Sequence, residues 1–137
     1  MANGGLTALG AAQVLNFYLR GVTPTLGATV YLRLLTTPST KTTSGTETTY
    51  GSYARLALVP ALTLFTDPVL TSRSTNVDPL EFPVPSSLDN DLIGFDIVDT
   101  ASGVFTATYI YGAIQPARSI AIGKRLRFPS GALIVTA

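Results

Sequence analysis

The sequence lacks cysteine, histidine and tryptophan. Without His and Cys, the chain has no Ser–His–Asp or Cys–His catalytic arrangement, no zinc site of the usual kind and no disulfide framework. Carboxylates are the remaining candidates for catalysis, and their densest cluster is Asp89, Asp91, Asp96 and Asp99. A glycosidase would also need aromatic platforms for its sugar, which a chain without Trp supplies poorly. We therefore expect a protein that is not an enzyme and has no cofactor.

Charge is also scarce, because charged residues make up 12% of the chain and the net charge is +1. This balance gives no field to hold nucleic acid or an anionic membrane. There is no apolar run of the roughly 20 residues that a membrane span requires, and the first residues do not resemble a signal peptide. A surface of low charge indicates extensive contact with other proteins, although a monomer with a neutral polar surface is the alternative.

The most regular stretch, Leu92 to Ile114, predicts an antiparallel hairpin. Apolar and polar residues alternate on both sides of a turn formed by Asp99 to Gly103, and this period of two is typical of half-buried strands. Further strands are expected in the segments Ala28–Thr36, Tyr53–Val59 with a possible continuation over Ala61–Phe65, Leu80–Phe82, Ile120–Phe128 and Ala132–Thr136.

One helix is predicted over Thr7 to Leu19. Thr7 is a good N-cap residue, and Gly21 is a good C-terminal stop. Polar residues Gln13, Asn16 and Arg20 form one stripe, and we expect the opposite apolar face to lie on the sheet; that face consists of Ala11, Val14, Leu15, Tyr18 and Val22. The whole chain, residues 1–137, is then one all-β domain, an antiparallel sandwich or small jelly-roll-like barrel with one N-terminal helix.

Two long stretches lack hydrophobic periodicity, a Thr-rich loop from Thr37 to Ser52 and a Pro-rich segment over residues 66–91. The Pro-rich segment is either an arm that contacts a partner or an ordinary loop with one hidden strand. Asp89-Asn90-Asp91 within it is either a weak calcium motif or a simple turn. The candidate partner contacts are Thr42, Thr46, Thr49, Leu80, Phe82, Pro83, Pro85 and the basic pair Arg125 and Arg127.

Short motifs along most of the chain resemble those of a family of small tailed-bacteriophage virion proteins, often labelled tail fibre proteins, whose relatives include capsid cement and knob proteins. The Pro-rich segment does not align with that family. The matching motifs are Leu6-Thr7, Tyr31 to Thr36, Gly51-Ser52-Tyr53-Ala54-Arg55, Ile97-Val98-Asp99 with Gly103, Gly112-Ala113-Ile114, and Leu126, Phe128 and Gly131-Ala132-Leu133.

This resemblance implies a phage structural protein, and a capsid cement protein on the outer surface of the head is the role we expect. Its partners would be the major capsid protein and further copies of itself, as a homotrimer, with no nucleic acid, membrane or small-molecule substrate. The alternative in the same virion is a tail-fibre or baseplate protein that binds host-surface glycan. A cellular lectin-like or Ig-like module is the third possibility.

Overall fold

The computed structural model describes residues 2–24, 28–61, 64–68, 72–105 and 107–136. Within these ranges the chain forms one helix and ten strands. They are β1 (Ala2–Leu6), α1 (Ala8–Arg20), β2 (Val30–Thr37), β3 (Thr46–Glu47), β4 (Leu56–Leu58), β5 (Arg73–Thr75), β6 (Leu80–Glu81), β7 (Leu92–Val98), β8 (Thr108–Arg118), β9 (Arg127–Phe128) and β10 (Leu133–Thr136).

Two open sheets pack as a sandwich, which confirms the predicted all-β class with one N-terminal helix and selects the sandwich over the barrel. The large sheet has the strand order β3-β2-β7-β8-β1-β10-β5, with β4 also paired to β2. The small sheet consists of β6 and β9. The large sheet is mixed, because β1 and β10 run parallel while its other strand pairs are antiparallel.

The predicted hairpin is the centre of the large sheet, formed by β7 and β8. Its second strand begins at Thr108, three residues later than the alternation at Phe105 predicts, and continues to Arg118. The connection is correspondingly longer, and Asp99 holds it by accepting a hydrogen bond from the Ala107 amide to its Oδ1 at 3.2 Å.

Strand β1 was not predicted, because Gly4 and Gly5 disfavour a regular strand. Its place between β8 and β10 depends on a close approach to the Phe95 ring. A Cβ at Gly4 would lie 2.8 Å from that ring, and a Cβ at the opposite Gly112 would lie 2.4 Å from it. Glycine at both positions therefore makes room for the aromatic side chain in the core.

The core lies between the inner face of the large sheet and the small sheet. Leu32, Leu34 and Phe95 of the large sheet belong to the same buried cluster as Phe82 and Phe128. The Phe82 and Phe128 rings meet edge to face, with centroids 6.3 Å apart. The predicted strand at Leu80 is thus β6, and the Pro-rich segment contributes to the interior at this point.

The outer face of the large sheet carries a buried ion pair between the neighbouring strands β2 and β7. Arg33 on β2 donates from Nε to Asp96 Oδ1 on β7 at 2.7 Å, and a second bond joins Nη2 to Oδ2. The exposed fraction of the two side chains is 4% and 0%. Burial alone would lower the pKa of Arg33, but the hydrogen bond and charge of Asp96 outweigh it and raise this pKa overall.

The same pair anchors the Thr-rich loop, which is therefore held by the domain itself. Ser39 donates to Asp96 Oδ2 at 2.7 Å, and Arg33 donates to Ser44 Oγ at 2.9 Å. Ser39 Oγ also accepts from the Gly45 amide at 2.8 Å. These bonds close the first part of the loop over the sheet before β3 begins.

A second arginine extends the network to the β7–β8 connection. Arg55 lies 2.8 Å from Glu47, which is itself 3.5 Å from Arg33. Arg55 also donates to the carbonyl oxygens of Thr100 and Gly103, at 2.9 and 2.8 Å. The Arg33 guanidinium lies 4.3 Å from the centre of the Phe105 ring, which covers it.

Three of the other predicted strands are shorter than expected. The segment Tyr53–Val59 contributes only β4, and Ile120–Phe128 contributes only β9 because a turn at Gly123, with φ +80°, interrupts it. The last strand begins at Leu133 instead of Ala132. Residues 62 and 63 of the possible continuation over Ala61–Phe65 lie outside the described part of the chain. Phe65 forms an isolated bridge with Asn76.

We expect Asp96→Ala to lower the free energy of unfolding by about 3 kcal/mol or more, because it leaves the buried Arg33 charge without its partner. The double variant Arg33→Met with Asp96→Leu removes both charges and should recover much of that loss. Urea unfolding of the two variants checks this. An Asp96→Ala midpoint equal to that of the parent would contradict the structural role of the pair.

We expect the fold to lose stability at alkaline pH. Burial raises the pKa of Tyr50 to about 12 and also raises the pKa of Tyr53. The neutral phenols therefore stabilise the fold fully below about pH 10, their ordinary pKa, and this contribution is lost as the pH rises from 10 towards 12. Urea unfolding at pH 8, 10 and 11 should show the decline.

Tyr50→Phe is the matched variant for this pH series. It removes the hydrogen bond that the Tyr50 hydroxyl donates to the Pro83 carbonyl at 3.1 Å. We expect a loss of about 1 kcal/mol at pH 8 and a shallower decline above pH 10. A decline as steep as that of the parent would show that Tyr50 is not the titrating group.

Candidate functional site: an apolar helix and groove

Helix α1 begins and ends where the sequence predicts. The Thr7 hydroxyl accepts a hydrogen bond from the Gly10 amide at 3.1 Å and lies 2.6 Å from the Thr108 carbonyl, to which it donates. The helix start is therefore fixed to β8 as well as capped. Gly21 follows the helix with φ +65°, and Arg20 donates from Nη1 to Asn16 Oδ1 at 3.1 Å.

Helix α1 packs against β8 and β1, and Gly10 is its buried residue. A Cβ at this position would lie 2.4 Å from the Tyr109 carbonyl oxygen. The helix backbone therefore lies close to β8 at its N-terminal turn, whereas the larger side chains further along the helix are exposed.

The prediction that the apolar face of the helix is buried on the sheet is wrong. Leu15 is 57% exposed and Tyr18 is 77% exposed, and Val14 and Val22 are also exposed. The apolar pattern indicates that this face avoids water but does not specify what covers it, and in this chain the sheet does not. We call the exposed large apolar residues of this helix the α1 surface; they are Leu9, Val14, Leu15, Phe17, Tyr18 and Leu19.

Beside the helix lies an open groove of about 600 Å³ between α1 and the inner face of the sheet. Val14, Phe17 and Tyr18 form its helical wall, and Ile97 and Ile110 belong to its sheet side. None of the described residues that line it is Asp, Glu, Lys or Arg. They also include Leu6, Gly10, Gln13, Pro24, Val30, Leu58, Pro60, Ala61, Leu64, Phe65 and Tyr109.

The groove and the α1 surface together have the properties of a protein-binding site. Neither presents an acid, a base or a nucleophile beyond the phenol of Tyr18 and Tyr109, so the site offers burial of apolar area instead of bond chemistry. Continuous exposed apolar surface on a small domain marks a place where another protein binds. Sequence reasoning missed it, although one signal was present: outside the polar stripe of Gln13, Asn16 and Arg20, every residue of α1 is apolar or glycine, and the helix carries a single charge.

The predicted threonine contacts lie on the outer side of the domain. Thr42 and Thr46 are exposed, and Thr46 lies in β3. Thr49 is exposed and donates its amide to Asp89 Oδ2 at 2.7 Å. This bond, with others from the Asn90 amide and Thr48, lowers the pKa of Asp89. Asp89 thus fastens its turn to the Thr-rich loop.

Of the remaining predicted contact residues, some are buried and others are exposed. Leu80, Phe82 and Pro85 are buried, with 7% of Leu80 and 1% of Phe82 exposed, so these side chains are not available to a partner in this conformation. Pro83 is half-buried. Arg125 and Arg127 are about half exposed, and both pair with Glu81, at 3.0 and 3.5 Å. Their contact with another protein stays a prediction.

The described residues contain no group of three or more Asp and Glu side chains placed to hold a metal ion. Among them, no helix has both the length and the apolar character needed to cross a membrane.

Comparison with known families gives one match. A family described as podophage GP4 fiber I protein gp80 matches residues 5–136. The chain belongs to this family. It is therefore a bacteriophage virion protein of a structural type, as the motif resemblance predicts. No curated protein matches the chain.

Gly10→Ala tests how the helix is held in this family member. Helix propensity alone predicts a gain in stability of about 1 kcal/mol. The added Cβ would, however, meet the Tyr109 carbonyl, and we expect a net loss of about 1–3 kcal/mol as the helix shifts. Thermal unfolding followed by circular dichroism measures the sign, and a gain would show that the close approach at Gly10 does not constrain α1.

Proposed function

We propose that this protein is a non-enzymatic structural subunit of a phage fibre, joined to its neighbours through the α1 surface and the groove. The observation that carries the proposal is the family match over residues 5–136, whose description names a fibre protein. The site supports it, because an apolar surface without catalytic groups suits lasting contact between proteins.

Assembly would use binding energy alone. A subunit that binds the assembled particle more tightly than its separate parts stabilises that particle by mass action. Many copies on one particle add to this through multivalency. No cofactor, nucleic acid or small-molecule substrate enters this mechanism.

The second candidate is capsid cement, a protein that bridges coat subunits on the outer surface of the head. Its support is the low charge of the chain and the closed loops, since the Thr-rich loop is tied down by Asp96 and Asp89. Thr42, Thr46, Thr49, Arg125 and Arg127 would be the outer contacts with the major capsid protein. A homotrimer is the self-association expected from the resemblance.

Host glycan binding has less support. Tyr50 and Phe82, two loop aromatics that could stack on sugar, are only 2% and 1% exposed. A tail adhesin would need other groups for that purpose. A structural role within the fibre requires no such platform.

The position of the protein on the particle distinguishes the fibre role from the cement role. Immunogold labelling of intact virions should place the protein on the fibres if the first proposal holds. Purified protein should then show no saturable binding to emptied, expanded heads in cosedimentation. Saturable binding that also raises the melting temperature of the heads would establish the cement role and overturn the fibre role.

A matched pair of variants tests the docking surface in the same assays. Phe17→Glu puts a charge at the groove wall, where this side chain is 48% exposed, and should reduce incorporation into particles at least tenfold. Val104→Glu makes the same kind of change at a loop residue that is 93% exposed and should have no effect. Equal incorporation of both variants would exclude the groove as the attachment site.

A further inference from the structure

The small sheet has an apolar inner face and a charged outer face. Leu126 and Phe128 belong to the core and are 8% and 2% exposed. The alternate residues Arg125 and Arg127 have about half of each side chain exposed. Two further cations adjoin them, one at the end of β8 and one directly before Arg125 in the sequence. We call the four cations the basic surface; they are Arg118, Lys124, Arg125 and Arg127.

The basic surface concentrates positive charge in a chain that is nearly neutral. It holds four of the nine basic residues, and within the described part of the chain Glu81 is the one acidic residue that pairs with them. Its excess is therefore three positive charges, whereas the rest of the chain, with five basic and seven acidic residues, has a net charge of −2. Such an asymmetry favours association with an anionic partner even though the total charge is close to zero.

Glu81 shows which chemical group this surface accepts. Its Oε2 lies 3.0 Å from Arg125 Nη1, and its Oε1 lies 3.5 Å from Arg127 Nε, so one carboxylate bridges two guanidinium groups. Each guanidinium carries more N–H donors than this carboxylate can accept from. Because both side chains are about half exposed, the remaining donors are open to carboxylates from outside the chain.

Arg118 is held in place by the domain itself. It donates from Nη1 to the Arg127 carbonyl oxygen, and its guanidinium lies 5.1 Å from the centre of the Phe128 ring. Within the described part of the chain, neither Arg118 nor Lys124 forms an ion pair. A side chain that is already ordered loses little freedom on binding, so Arg118 adds to affinity at a low entropic cost.

The geometry of the surface favours an acidic polypeptide as the partner. Arg125 and Arg127 are alternate residues of an extended segment, because the pairing with β6 continues to Leu126, whose carbonyl oxygen accepts from the Phe82 amide at 2.9 Å. Alternate residues of an extended chain are about 6.6 Å apart, and an extended acidic segment presents its carboxylates at the same spacing. Single-stranded nucleic acid would also need exposed rings for its bases, whereas the ring at this surface, Phe128, is buried.

We propose that the basic surface binds an acidic, extended segment of another protein, whose carboxylates contact Arg118, Arg125 and Arg127. Arginine suits this role because its planar guanidinium can bind a carboxylate through two parallel hydrogen bonds. The contact is separate from the apolar groove: Ile110 of the groove lies eight residues before Arg118 on β8, about 26 Å along the strand. It therefore holds whether or not α1 attaches the subunit to its neighbours.

Fluorescence anisotropy of a labelled peptide of alternating Glu and Ser residues is the first test. We expect saturable binding to the purified protein at low salt and its loss in about 1 M NaCl, where charges are screened beyond about 3 Å. Arg125→Gln with Arg127→Gln should weaken binding about tenfold. Arg20→Gln with Lys41→Gln removes the same charge from other exposed positions and should have no effect. An equal loss in both double variants would show a response to net charge alone and overturn the proposal.

Glu81→Gln separates binding from a purely structural role of the two arginines. It removes the carboxylate that competes for them, so the peptide should bind about threefold more tightly. If Arg125 and Arg127 serve only to hold β9 against β6, the variant should instead lose thermal stability and bind the peptide no better than the parent. That result would contradict the proposal.

Two other polyanions identify the class of partner. A carboxylated polysaccharide (hyaluronate) and a single-stranded DNA oligonucleotide are added as competitors, each at the same concentration of negative charge as the peptide. We expect both to displace the peptide less well than the unlabelled peptide does. Better displacement by either one, at a site that Arg125→Gln with Arg127→Gln removes, would assign the surface to that polymer and overturn the protein partner. No outcome of these assays bears on the groove or on fibre or head location.

Discussion

The Arg33–Asp96 pair is the constraint on which the rest of the structure depends. It joins the neighbouring strands β2 and β7 of the large sheet, and both side chains are almost fully buried. A slip of one residue between these strands would turn Arg33 or Asp96 into the apolar core. The pair therefore fixes the register, and with it the positions of Leu32, Leu34 and Phe95 on the inner face.

The pair also decides which side of the domain is open to partners. Asp96 holds Ser39, and Arg33 holds Ser44 and lies under Phe105. The Thr-rich loop is thus closed over the outer face by hydrogen bonds to the same two buried side chains that pair with each other. Large apolar side chains are left exposed along α1 and its groove, and binding should concentrate there.

Local chemistry made the hairpin and the helix ends predictable from sequence. Alternation through Phe95 and Ile97 reports burial on one face, and Thr7 and Gly21 are caps that act within one turn. Strand β1 was not predictable, because Gly4 is needed there to make room for the Phe95 ring, which is about 90 residues away in the sequence. The site was missed for the same reason: the apolar pattern of α1 predicts a contact, and only the fold shows that the sheet does not supply it.

An exposed apolar helix would be a liability for a protein that stays free in solution. The proposed role removes this difficulty, because a structural subunit of the virion would have such a surface covered after assembly. The scarcity of charge has the same explanation, since charged groups at an interface must lose their hydration when it forms. Under the proposed role, the low charge, the closed outer loop and the open apolar helix all serve one requirement, which is that the domain be rigid and bury its exposed apolar surface against other proteins.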